Sequence, residues 1–190
     1  MVVHFRPDSG WEDEPLLTYL LDTGCLIAAQ TPGEPHHLAA EGLVRAGMAG
    51  DVSLITATSV EYDLEAASPE LAQVRRAWLA SRPFIRRVPG PFTLDVSRLD
   101  WGDVLVSDEQ AESLGKLKKI LGTPAPAEPD NRWRRRQIDR HHASAALLAQ
   151  ADGLVTTDRD DILRRRDAIL TECGLLVLDP EEAIANLTAE

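Results

Sequence analysis

The chain has 190 residues, with 20 Lys and Arg against 31 Asp and Glu and a formal net charge of −11. That length suits one domain with an ordinary core, and the acidity excludes indiscriminate binding to nucleic acid, which needs clustered Lys and Arg. Two widely separated cysteines with no CxxC pair and no helical HExxH argue against a zinc centre, and no apolar run reaches membrane-span length.

Residues 1–15 mix His, Arg, Asp, Glu and Trp rather than a basic region followed by an apolar one, so they read as a surface extension of a cytoplasmic protein. Residues 16–190 read as a single domain. Thr18 to Leu21 is a short apolar strand, and Leu26 to Ala29 begins a helix. Pro35 marks a first helical position, with His36 to Met48 carrying apolar residues at Leu38, Leu43, Val44 and Met48. Val52 to Thr56 is the second strand. Thr58-Ser59-Val60-Glu61 matches a capping box, in which a hydroxyl and an acid three residues on satisfy backbone N–H groups, and predicts a helix to about Ala67. Ser68-Pro69-Glu70 starts another helix to about Ser81, with Leu71, Val74, Trp78 and Leu79 as its apolar positions.

Phe84 to Val88 is the third strand, and Pro89-Gly90-Pro91 turns the chain into an insertion at about 89–130. Within it, Val104 to Val106 reads either as a further short strand or as a buried approach. Ser107-Asp108-Glu109-Gln110 is a second capping box, for a helix ending near Gly122. A Pro- and Ala-rich loop follows, then a helix over Asn131 to Ala151, a strand at Leu154 to Thr157, a helix over Asp160 to Cys173, and a strand at Leu175 to Leu178. Asp179-Pro180-Glu181-Glu182 caps a last helix. Strands alternating with helices predict a parallel sheet covered on both faces. Cys25 and Cys173 are expected to be reduced and buried.

Four acids fall at strand ends or on the helices that follow: Asp22, Glu61, Asp139 and Asp158. In an open parallel sheet, ligands bind beyond the carboxyl ends of the strands. Carboxylates gathered there repel one another and stay ionised only around a hard cation such as Mg²⁺ or Mn²⁺. A cation held in that way lowers the pKa of water and shields a phosphodiester, which predicts a metal-dependent nuclease. Each acid also has an ordinary role open to it. Asp22 and Asp158 suit helix caps, Glu61 sits at the third position of its capping box, and Asp139 lies among arginines that favour surface ion pairs.

The motifs around these acids resemble the PIN-domain family, in particular the VapC-like ribonuclease toxins. Tyr19-Leu20-Leu21-Asp22-Thr23-Gly24 is similar to the family's opening strand and first acid. Ile55-Thr56 leading through Ser59 to Glu61 resembles the second strand and its acid. Ile138-Asp139, Ala143-Ser144-Ala145 and Ala151-Asp152-Gly153-Leu154-Val155-Thr156-Thr157-Asp158 resemble the third acid, its small-residue helix and the strand ending in Thr-x-Asp.

The resemblance implies a three-layer α/β/α sandwich with a central mainly parallel sheet. It also implies Mg²⁺ or Mn²⁺ held by Asp22, Glu61, Asp139 and Asp158, and single-stranded RNA as substrate. Asp160 or Asp161 would add an outer carboxylate, and Thr156 would steady the pocket by hydrogen bonding. A homodimer and an antitoxin partner are further implications. The N-terminal extension and the 89–130 insertion depart from the family pattern.

Arg134, Arg135, Arg136 and Arg140 form either a solvated helix face or a grip on substrate phosphates, with Arg140 the foremost candidate. Trp133 is the tryptophan best placed to stack a base, whereas Trp78 falls in the apolar phase of its helix. His141 and His142 point to different helix faces, so at most one reaches the pocket. Asp22-Thr23-Gly24 also matches an aspartic-protease loop, but that enzyme needs an all-β frame and a second copy of the loop. A PIN-like binding module without catalytic power is the other reading of the same fold.

Overall fold

The structure is a computed structural model describing residues 16–92, 103–122 and 131–189, with residues 131–135 described by their helical backbone alone. Five strands form one sheet: β1 (Thr18–Leu21), β2 (Ser53–Ala57), β3 (Ile85–Val88), β4 (Gly153–Val155) and β5 (Leu176–Leu178). Their order is β3-β2-β1-β4-β5 and every pairing is parallel. Thr18 stands opposite Ser53, and Leu21 opposite Val155.

Alternation of side chains along each strand divides the core in two. Tyr19, Leu21, Leu54, Val155 and Leu178 point into one layer, with α1 (Thr23–Gln30), α2 (His37–Ala49), α3 (Val60–Glu65), α4 (Pro69–Ala80) and α8 (Pro180–Thr188). Leu20, Ile55, Leu154 and Val177 point into the other, with α5 (Asp108–Leu121), α6 (Asn131–Leu148) and α7 (Arg166–Cys173). The architecture is a three-layer α/β/α sandwich. Among the described residues, no helix is long and apolar enough to cross a membrane.

Local chemistry sets most of the boundaries. Ser107 and Asp179 each complete a capping box, with Gln110 and Glu182 reaching back to the cap N–H. Ser68 accepts from Leu71 N at 3.3 Å and Pro69 takes the first helical position. The Thr58–Glu61 signature forms no box: Ser59 is already in helical conformation and makes no cap bond. Its buried hydroxyl has no hydrogen-bond partner, and the Thr58 hydroxyl donates to Asp103 at 3.0 Å.

Apolar periodicity overestimates burial on two helices. Leu38 and Met48 of α2, and Leu71 and Val74 of α4, are exposed, because Ala40, Leu43 and Val44 on one helix and Ala72 and Leu79 on the other take the buried positions. Val104 contributes an isolated bridge to Pro91 rather than a strand, and Leu105 is exposed. The helix expected from Asp160 begins later. Asp158 Oδ1 accepts from the N–H groups of Asp160 and Asp161, and a 3₁₀ turn at Leu163–Arg165 precedes α7. Cys25 is buried, Cys173 is half-buried, and both are free thiols.

Candidate active site

Chain order reverses at β1, which lies between β2 and β4. That reversal splays the following connections apart and opens a crevice at the carboxyl ends of β1 and β4. Asp22 follows β1 directly. It caps α1, with Oδ1 accepting from Cys25 N at 2.7 Å, while Oδ2 accepts a short hydrogen bond from the Thr156 hydroxyl. Capping and site duty therefore coincide in one buried carboxyl. Burial pushes the Asp22 pKa up, against the hydrogen bonds from Thr156 and Cys25 and the charge of His142.

Thr156 ties the two strand ends together: the hydroxyl that donates to Asp22 also accepts from Asp158 N at 3.0 Å. Gly24 is needed where it stands, because a Cβ there would run into the Thr157 hydroxyl and approach Asp22 Oδ1 at 3.3 Å. Asp139 lies on α6 across the crevice. Burial, and then the charge of Asp158, lift its pKa from 3.8 to about 7; His142 opposes the rise, and Asp22 and Asp63 add to it.

Asp63, rather than Glu61, is the acid that α3 directs at this group. Glu61 is committed elsewhere, with Arg76 Nε at 2.8 Å and Arg87 Nη1 at 2.9 Å. The two residues are two apart on a helix and so face different ways. Asp63 Oδ2 lies 3.7 Å from His142 Nε2, which is also 3.2 Å from the Thr23 hydroxyl. His142 is buried, and burial alone would lower its pKa. The hydrogen bond and charge of Asp63, then the charges of Asp22 and Asp139, outweigh that and hold it above 6.5. The crevice thus carries four carboxyls and one imidazole.

Of the other expected residues, Asp160 is exposed. Asp161 is drawn into ion pairs with Arg165 Nη1 at 3.0 Å and Arg136 Nε at 3.4 Å, so arginine charge already occupies it. Arg140 borders Asp139 in a small cleft shared with Arg136 and Asp161, and its Nη2 donates to the Leu121 carbonyl at 3.2 Å. The side chains of Trp133, Arg134 and Arg135 lie outside the described residues. Sequence reasoning misses Asp63 and leaves His142 undecided. The spacing of His142, three residues after Asp139, is the available signal, since i and i+3 share a helix face.

The donor set is oxygen-rich and anionic, which suits a hard cation such as Mg²⁺ or Mn²⁺ and does not suit zinc. Among the described residues no three His, Cys, Asp or Glu side chains already stand in metal-holding geometry. No protein-family model matches the chain, and no curated protein matches it.

Proposed function

We propose that this protein is a metal-dependent endoribonuclease that hydrolyses phosphodiester bonds of single-stranded RNA, with Mg²⁺ or Mn²⁺ at Asp22, Asp139, Asp158 and Asp63. The observation that carries this reading is the geometry of the acids: Thr156 ties Asp22 to the Asp158 backbone at the ends of β1 and β4, and His142, one turn from Asp139 on α6, reaches Asp63 on α3. Burial and the neighbouring charges push the Asp139 pKa up to about 7. A cluster that holds a proton near neutrality for want of positive charge is poised to exchange that proton for a cation. RNA as the substrate rests on the resemblance of the three acid-bearing motifs to the PIN-domain ribonucleases.

When bound, the ion would supply a more acidic water and charge relief at the phosphate. The chain supplies the rest. Thr156 fixes the distance between the first and last acids through its two hydrogen bonds. His142, whose pKa the neighbouring carboxyls raise against the effect of burial, orients Asp63. Arg136 and Arg140 flank Asp139 as the groups to steady substrate phosphates, since guanidinium binds phosphate oxygens through paired donors. Glu61 serves outside the site, holding Arg76 and Arg87 between α3, α4 and β3.

Cleavage of varied single-stranded RNAs by the full chain, with Mn²⁺ or Mg²⁺, tests the reading. EDTA and Asp22→Asn should each abolish cleavage; cleavage that survives both sinks the proposal. A non-catalytic PIN-like binding module is the second reading, favoured by the net charge of −11 and by the absence, among the described residues, of three side chains in metal-holding geometry. Binding of RNA or protein with no cleavage under any of these conditions would select it. Within the nuclease reading, a toxin with a homodimer and an antitoxin partner and a solitary housekeeping ribonuclease share these site residues. A small adjacent reading frame encoding a DNA-binding fold is the observation that separates them.

A further inference from the structure

On the other side of α6 from Asp139 lies a cavity of about 370 Å³, between α5, α6 and the chain around Phe92 and Val106. Gln137, His141 and Ser144 line it as one stripe of α6, at i, i+4 and i+7. Asp139 lies two residues from both Gln137 and His141, and so on a different face. Arg140 borders both places, lining this cavity and the cleft beside Asp139. Its bond to the Leu121 carbonyl, at the end of α5, holds the guanidinium at that boundary.

The lining combines an apolar floor, including Phe92 and Leu114, with groups that both donate and accept. The Gln137 amide and the Ser144 hydroxyl each do so. His141 is 4% exposed, its Nε2 lies 3.3 Å from Asp103 Oδ2, and Gly90 packs so closely that any Cβ there would strike the ring. Among the described residues the buried Nδ1 has no hydrogen-bond partner, so a ligand that reached it would satisfy a polar atom that is otherwise costly to bury. Lys118 and Arg140, which also line the cavity, offer donors alone and suit a phosphate, whereas Gln137 and Ser144 can also accept. Donors and acceptors over an apolar floor match the edge and faces of a nucleobase, and the volume falls within the usual range for small-ligand sites, about 300–1,000 Å³.

We propose that this cavity seats one unpaired base of the RNA strand, with Arg140 holding the phosphate that links that base to the segment cut at Asp139. The inference rests on the ribonuclease reading and adds its specificity. It also gives an acidic protein a grip on RNA that does not depend on surface charge.

The test is cleavage by the full chain with Mn²⁺ of single-stranded RNAs of randomised sequence, with the cut ends mapped. Substrates carrying an abasic residue at each position in turn follow. One position at a fixed spacing from the cut should show a base preference, and an abasic residue there should lower kcat/KM about ten-fold. Gln137→Met, which removes edge recognition, and Leu114→Trp, which fills the cavity, should each lose both effects. Circular dichroism shows whether each variant is folded, and the milder Gln137→Met decides if Leu114→Trp is not. Wild-type cleavage indifferent to base identity and to abasic positions overturns the base site alone, as does a folded variant that keeps the wild-type preference. Wild type that cleaves no RNA overturns the ribonuclease reading and this inference with it.

Discussion

Asp139→Asn in metal-free buffer should stabilise the protein, and should do so only where the carboxyl would otherwise be charged. The Asp139 pKa rises from 3.8 to about 7, through burial first and then Asp158, with Asp22 and Asp63 adding and His142 opposing. At about 1.36 kcal/mol per pKa unit, that rise is worth about 4 kcal/mol as an upper value. Partial solvent contact reduces the expectation to about 2–4 kcal/mol. The sign follows from proton counting. Below 3.8 both folded and unfolded chains keep the proton and no penalty exists. Between 3.8 and about 7 the unfolded chain has released it and the folded chain has not, so stability falls as pH rises. Above about 7 the full cost is present. Asparagine keeps the shape and removes the charge, so its gain should be near zero at low pH and full at alkaline pH. Urea unfolding with EDTA, at acidic, neutral and alkaline pH, measures it. A variant no more stable than wild type under alkaline conditions, or one whose gain is the same at every pH, refutes the crowded-carboxyl account. Adding Mn²⁺ should reverse the order, stabilising wild type more than the variant.

Two further substitutions separate the roles assigned to individual side chains. Asp63→Asn should lower kcat at least ten-fold in the RNA-cleavage assay. Glu61→Gln should leave kcat within about two-fold and cost less than about 1 kcal/mol in urea unfolding, since its arginine partners are partly exposed. The opposite pattern would restore Glu61 to the site. Thr156→Val should cost about 1–3 kcal/mol, because it strips the hydroxyl from both the Asp22 carboxyl and the Asp158 N–H. It should also weaken Mn²⁺ binding in a calorimetric titration, and Thr156→Ser should restore both.

Those parts of the fold that depend on local chemistry are legible in the chain. The strand–helix alternation and the caps at Ser107 and Asp179 depend on residues within a few positions of one another, and they appear as read. What is illegible depends on distant partners. The Thr58–Glu61 signature has every residue a capping box requires, yet the Thr58 hydroxyl goes to Asp103, 45 residues on, and Ser59 turns helical too early to cap. Leu38, Met48, Leu71 and Val74 have the right periodicity for a core face, but smaller neighbours such as Ala40 and Ala72 take the buried positions. Periodicity reports that an apolar stripe exists; the layer packed against it decides how wide the buried part is.

Distant partners also decide which acid of α3 faces α6. A capping-box reading sets the phase of α3 by putting Glu61 at the third position. Without the box, the phase is set by the apolar residues, with Val60, Tyr62 and Leu64 buried. Glu61 then meets Arg76 and Arg87 from the neighbouring helix and strand, partners that no local pattern announces. Asp63 is left facing α6, where His142 already stands one turn beyond Asp139. Each of these side chains makes the others understandable. Burial alone would lower the pKa of the imidazole, and the surrounding carboxyls, Asp63 first, turn the shift upward. Carboxyls this crowded would ordinarily bind protons, and the imidazole limits that without abolishing it, which leaves Asp139 near 7. One imidazole beside four carboxyls leaves the group acidic, and the proposed divalent cation is the partner whose binding the Mn²⁺ titrations test.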